Sequence, residues 1–191
     1  MASGLMTPIG MISFPRLFTP RAAAYGQEAR YSCAILFDPN AQKSPEYVGL
    51  KKAVMEAGVN EWGRDKMSDG NFIRAIRLPF RSAEEKQFEG YEAGFTFINA
   101  RSKDRPGVVD GRLQDVTAEA DVWAGQLGRL LVAAFAYDVS GNKGISFALN
   151  HVQITKPNMP RIDGRIAASK AFPAVEGATA GGGDDDDEIP F

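Results

Sequence analysis

Two short segments of this 191-residue chain place aromatic and cationic side chains on a common face. Successive strand residues point to opposite sides, so every second residue shares a face. In Gly94–Arg101 one face carries Phe95, Phe97, Asn99 and Arg101, and the other carries Thr96, Ile98 and Ala100. In Arg129–Tyr137 one face carries Arg129, Leu131, Ala133, Phe135 and Tyr137, and the other is small and aliphatic. An aromatic pair beside an arginine suits stacking of nucleobases, worth about 1–3 kcal/mol per base, with cations along the phosphate path. Arg16 and Phe18 between two prolines, the basic loop Arg101–Arg105 with Lys103, and Lys143 in a turn are further candidates for such a surface. Phenylalanines equally make cores, with arginines snorkelling at strand ends. Only one member of each aromatic pair needs to reach a base.

Other chemistries find less support. His151 stands alone in a strand pattern, and Cys33 lies in an apolar strand with no neighbour to activate it. One cysteine and one histidine exclude the usual Cys/His zinc sites and an internal disulfide, which fits a reducing cytoplasm. Gly141-Asn142-Lys143-Gly144 lacks phosphate-loop spacing and reads as a hairpin turn. Asp110, Asp115, Glu119 and Asp121 leave a metal-dependent nuclease as an alternative, although their setting is a polar loop. No cofactor is called for. No run of about 18 apolar residues spans a membrane, and the N-terminus lacks a secretory pattern.

The elements that must position these residues are mainly strands. Segments at Gly10–Arg16, Arg30–Phe37, Phe72–Pro79, Gly94–Arg101, Arg129–Tyr137 and Gly144–Gln153 alternate with turn signals. One helix begins where Ser44 can cap and Pro45 suits the first helical position. Tyr47, Leu50, Val54 and Trp62 form its apolar stripe, and Gly63 stops it. The expectation is residues 1–9 as a flexible N-terminus, 10–160 as one antiparallel β-rich domain, and 161–183 as a flexible Ala/Gly-rich linker reaching roughly 25–30 Å.

Net charge is −2, but five of the 24 acidic residues lie together at Asp184, Asp185, Asp186, Asp187 and Glu188. Without them 19 acids face 22 lysines and arginines, so the body is mildly basic and the negative end is detachable. The run closes in Ile189, Pro190 and Phe191. Such a peptide can fill an apolar pocket with Phe191 while its carboxylate meets a basic rim, with the aspartates steering it there. This end resembles the C-terminal tip of bacterial single-stranded DNA-binding proteins, which implies a disordered acidic tail that recruits replication and recombination proteins.

The body resembles a different group, the bacteriophage single-stranded DNA-binding proteins with a modified oligonucleotide-binding (OB) barrel. The resemblance rests on Ser13-Phe-Pro-Arg-Leu-Phe-Thr-Pro-Arg21, Tyr31-Ser-Cys-Ala-Ile-Leu-Phe-Asp-Pro39 and the helix after it. It continues in Phe97-Ile-Asn-Ala-Arg-Ser-Lys103, Arg105-Pro-Gly-Val-Val-Asp110 and Gly144-Ile-Ser-Phe-Ala-Leu-Asn150-His-Val-Gln153, and so covers roughly residues 10–155. It implies an OB-fold-like antiparallel β-barrel and binding of single-stranded DNA without base preference, in phage replication, recombination or repair. An oligomer is compatible with this composition. A structural or scaffolding phage protein, whose tail alone docks partners, is the competing reading.

Overall fold

The computed structural model describes residues 4–22, 26 and 28–162. In chain order the strands are β1 (Leu5–Met6), β2 (Gly10–Arg21), β3 (Arg30–Phe37), β4 (Arg81–Ser82), β5 (Thr96–Ser102), β6 (Gly107–Val109), β7 (Leu127–Val139) and β8 (Asn142–Lys156). Three helices, α1 (Pro45–Trp62), α2 (Arg64–Ser68) and α3 (Gly70–Ala75), lie between β3 and β4. β2, β3, β5, β8 and β7 pair in that order and β7 returns to β2, closing a five-stranded ring. This is the OB arrangement expected from the sequence.

The ring is not wholly antiparallel. β5 and β8 run parallel, with Ala100 opposite Phe147 and Arg101 opposite Ala148. Five is an odd number, so strand direction cannot alternate all the way round a closed ring and one parallel pair must occur. β6 also joins β8 in parallel, through Gly107 opposite His151.

α1 starts and stops where its sequence signals lie. The Ser44 hydroxyl accepts the Tyr47 N–H at 3.2 Å, Pro45 opens the helix, and the Gly63 N–H reaches the Val59 carbonyl at 2.9 Å with φ of 87°. Tyr47, Leu50 and Val54 enter the barrel core, together with Ile12, Ile35, Phe37, Ile98, Leu130, Phe147 and Ile154. Tyr47 is anchored at its far end by a 2.8 Å hydrogen bond with Thr96 Oγ1. A second, smaller cluster of Leu36, Ala83, Tyr91 and Phe97 lies apart from this core.

Three expectations are corrected. The segment Phe72–Pro79 is not a strand. Asp69 caps α3 by accepting the Asn71 N–H at 2.9 Å, and Phe72 meets Trp62 edge-to-face at 5.4 Å, so Phe72–Ala75 serve a helical turn and the chain is irregular from Ile76 to Pro79. Only Arg77 beyond it joins the sheet, donating to the Lys143 carbonyl and accepting from the Ile145 N–H. At the N-terminus, Leu5 and Met6 pair with Val132 and Leu131 and buried Thr7 exchanges hydrogen bonds with Leu130, so these residues belong to the barrel. At the other end, the Ile162 N–H bonds the Ala124 carbonyl and Arg161 covers the Trp123 ring, so the domain extends slightly past 160. The linker from 163 and the tip Asp184–Phe191 lie outside the described residues.

Candidate nucleic-acid interface

On the outer face of β3 and β5 the cross-strand pairs are Leu36 with Phe97, Ala34 with Asn99 and Ser32 with Arg101. The 83–91 segment covers the first of these pairs through Ala83 and Tyr91. Towards Arg101 the face opens into a hollow of about 590 Å³ lined by Phe14, Arg16, Arg21, Arg30 and Arg101. A second hollow of about 1000 Å³ shares Arg30 and Arg101 and continues past Asn99 to Arg74, Arg77, Arg81, Phe135 and Tyr137. Seven arginines (16, 21, 30, 74, 77, 81 and 101) therefore line one path, against the carboxylates of Glu28 and Glu85. Glu85 is already paired with Arg81. The path runs across the second and third barrel strands between the β2–β3 loop and the β7–β8 hairpin, where OB folds receive oligonucleotides.

The exposed aromatics sit along this path. Phe135 is 42% exposed and its ring centroid lies 6.4 Å from that of Tyr137. Tyr137 stands directly opposite Gly144, and a Cβ there would lie 2.5 Å from the Tyr137 hydroxyl, so glycine makes room for the ring to lie across the strand. Arg77 backbone closes over the same glycine, which ties the 76–80 wall of the groove to the hairpin.

Phe14 reaches the opposite end of the groove through an irregularity in β2. Ile12 and Leu17 are both in the core but five residues apart, an odd spacing that period-two alternation cannot bury. The register accordingly shifts between Ser13 and Arg16, and Phe14 takes φ of 45°. A left-handed backbone costs a non-glycine residue about 1–2 kcal/mol.

The candidate residues divide. Arg16, Arg101, Phe135 and Tyr137 come together in the groove. Phe97 does not, because its ring is 2% exposed, edge-on to Tyr91 at 5.4 Å and covered by the Arg81 guanidinium at 5.3 Å. Phe95 precedes β5 rather than lying in it and packs on the same small cluster. Phe18 packs on the core with the Arg105 guanidinium 5.1 Å above its ring, so these two meet each other away from the groove lining. Arg129 is likewise elsewhere, its Nε donating to Gln153 Oε1 at 2.7 Å. Lys143 pairs with Asp138 at 3.1 Å in the hairpin, and Lys103 with Glu28 at 3.0 Å.

Residues missed from the sequence are Phe14, Arg21, Arg30, Arg74, Arg77 and Arg81. Arg21 and Arg30 flank the β2–β3 turn, a position that could have marked them. Arg74 and Arg77 fall in the segment whose pattern suggests a strand, but Arg74 lies in α3 and Arg77 makes an isolated bridge to Gly144. The Glu28 side chain is about half exposed, and its carboxyl is held below the usual range by Lys103 first and Arg30 second, so it remains an anion in the groove at neutral pH.

The remaining reactive residues have structural work. Burial pushes the Cys33 thiol up to about 12. His151 Nδ1 accepts the Gly107 N–H at 3.2 Å, fixing β6. Asp110 Oδ1 accepts the Arg112 and Gln114 N–H groups, and Glu119 accepts the Thr19 hydroxyl. Among the described residues no three His, Cys, Asp or Glu side chains gather as a metal site, and no helix is long and apolar enough to cross a membrane.

Known proteins share this architecture. The single-stranded DNA-binding protein of bacteriophage Enc34 in complex with ssDNA superposes with a TM-score of 0.68 at 16% identity, covering 84% of this chain and 94% of that one. Gp2.5, a single-stranded DNA-binding protein encoded by bacteriophage T7, gives 0.57 at 10% identity over 80% of this chain and 91% of that one. At these identities the likeness establishes the fold. A putative protein p50 of Acyrthosiphon pisum secondary endosymbiont phage 1 is 26% identical over 167 residues, 84% of this chain and 88% of its own length. The family model described as Enterobacter phage Enc34, ssDNA-binding protein, matches residues 7–187, and the chain belongs to that family.

Proposed function

We propose that this chain binds single-stranded DNA without base preference in the groove across β3 and β5, during phage DNA replication, recombination or repair in the host cytoplasm. The observation that carries this reading is the arginine-lined path with exposed Phe135 and half-buried Tyr137 lining one end. Arginines take the phosphates and the aromatic rings take the bases, and both features are common to every nucleotide. The path holds few carboxylates, so the local field is positive although the whole chain is slightly acidic.

Titrating the protein into fluorescent oligo-dT and a matched duplex at two salt concentrations tests it. Single strands bind more tightly, and affinity falls steeply with salt. Binding to neither form favours the scaffolding reading, and degradation of DNA on adding Mg²⁺ or Mn²⁺ favours a nuclease. The acidic tip belongs to the same proposal. It recruits partner proteins through Phe191 and its carboxylate, and its aspartates compete with phosphate for the groove. Deleting residues 184–191 raises affinity for oligo-dT at low salt and abolishes capture of partners. Phe191→Ala loses the partners alone. Equal partner capture by wild type and Phe191→Ala reduces the tip to a solubility device.

A further inference from the structure

From the strained and exposed Phe14 we infer a second base-stacking station at the β2 end of the groove, separate from the Phe135–Tyr137 station and reached only by a longer strand. The inference rests on the proposed single-strand binding and adds a residue and a length dependence to it.

Phe14 is 38% exposed and lines the smaller hollow among Arg16, Arg21, Arg30 and Arg101. Its left-handed backbone occupies the bulge position that glycine normally takes. A large aromatic held at a left-handed position and left more than a third exposed gains less from burial than a core residue does. Strain of this kind is held where a side chain is aimed at a ligand. The ring is also steadied from beneath. Phe88 meets it edge-to-face at 5.3 Å, Tyr91 meets Phe88 at 5.6 Å, and the Tyr91 hydroxyl donates to buried Ser13 Oγ at 3.2 Å, next to Phe14 in the chain. This chain of contacts returns to the bulge and fixes the ring without covering it. The neighbouring arginines are spaced around the same hollow, so a base on Phe14 has phosphate partners on its flanks. Arg30 and Arg101, shared by both hollows, bridge the two stations.

The experiment compares oligo-dT of about 4 nucleotides with oligo-dT of about 16, the range a single OB domain covers. The variants are Phe14→Leu, Phe14→Tyr and Phe14→Gly, each with its thermal midpoint. Phe14→Leu loses at least about fivefold in affinity for the longer oligonucleotide, the smallest effect expected of one stacked base, and nothing for the shorter. Phe14→Tyr binds both as wild type does. Phe14→Gly loses the same affinity while its thermal midpoint holds or rises, because the backbone strain is relieved. Wild-type affinity of Phe14→Leu for the longer oligonucleotide overturns the second station, as does equal loss in the Leu and Tyr variants. A wild-type protein that binds neither oligonucleotide overturns the single-strand reading itself, an outcome distinct from either.

Discussion

The segment Phe95–Arg101, most of it β5, and β7 carry the same pattern, aromatic residues two apart sharing a face with an arginine, and the fold uses them in opposite ways. In β5 the Phe97 ring is closed under Ala83, Tyr91 and the Arg81 guanidinium, while Arg101 four residues on stands in open groove. In β7 Phe135 and Tyr137 stay open to the groove, while Arg129 is tied to Gln153 at the strand's other end. The difference arises outside both strands. The 83–91 segment folds over one end of the β5 face, whereas Gly144 and the Arg77 bridge hold the β7 ring pair against a wall without roofing it. A strand's alternation thus says which residues share a face, and a distant segment decides which part of that face is left for a ligand.

The largest effect is expected at Phe97. Phe97→Ala should destabilise the domain by about 3–5 kcal/mol, the usual cost of emptying a packed aromatic site. Chemical denaturation measures this, and a stable variant that had lost only DNA affinity would return Phe97 to the binding surface. Next in size, Tyr137→Ala and Phe135→Ala should each weaken oligo-dT binding by about 1–3 kcal/mol with little change in denaturation midpoint. Loss of folding in both would make them core residues.

The arginines sharpen the contrast through salt dependence. Arg30→Ala and Arg101→Ala should each lower the slope of log affinity against log salt by about 0.7, one phosphate contact on a single strand. Arg129→Ala should leave that slope unchanged, which departs from the role its strand pattern suggests. Smallest is Glu28→Gln, which removes a half-exposed anion from the groove and frees Lys103 and Arg30. It should tighten binding slightly at low salt and not at high salt. Because the Glu28 pKa is depressed, lowering the pH should reproduce this change only below the ordinary carboxylate range, as its folded-state value is crossed.

Much of this molecule was legible in its sequence because the decisive signals are local. Ser44, Pro45 and Gly63 bound α1 through their own backbone chemistry, and the turn at Ser140–Gly144 announced the β7–β8 hairpin. Phe72–Pro79 misleads because its apolar content suits a strand, while the Asp69 cap and the Trp62 contact that make its first four residues helical lie outside the segment. The groove was half legible. Arg101, Phe135 and Tyr137 were found by alternation, but Arg74, Arg77 and Arg81 reach it only through the α3–β4 connection. Phe14 needs the β2 bulge, which the odd spacing of Ile12 and Leu17 discloses once both are known to be core.

Ultraviolet cross-linking of the intact protein to oligo-dT, with the linked peptides located by mass spectrometry, tests the placement of DNA most directly. Links are expected in the peptides bearing Phe14, Arg30–Ser32, Asn99–Arg101 and Phe135–Tyr137, all along one path on the outer face of the barrel. Links concentrated at Phe18 with Arg105, or at Arg129 with Gln153, and missing from Phe135–Tyr137, would place the strand elsewhere and contradict it.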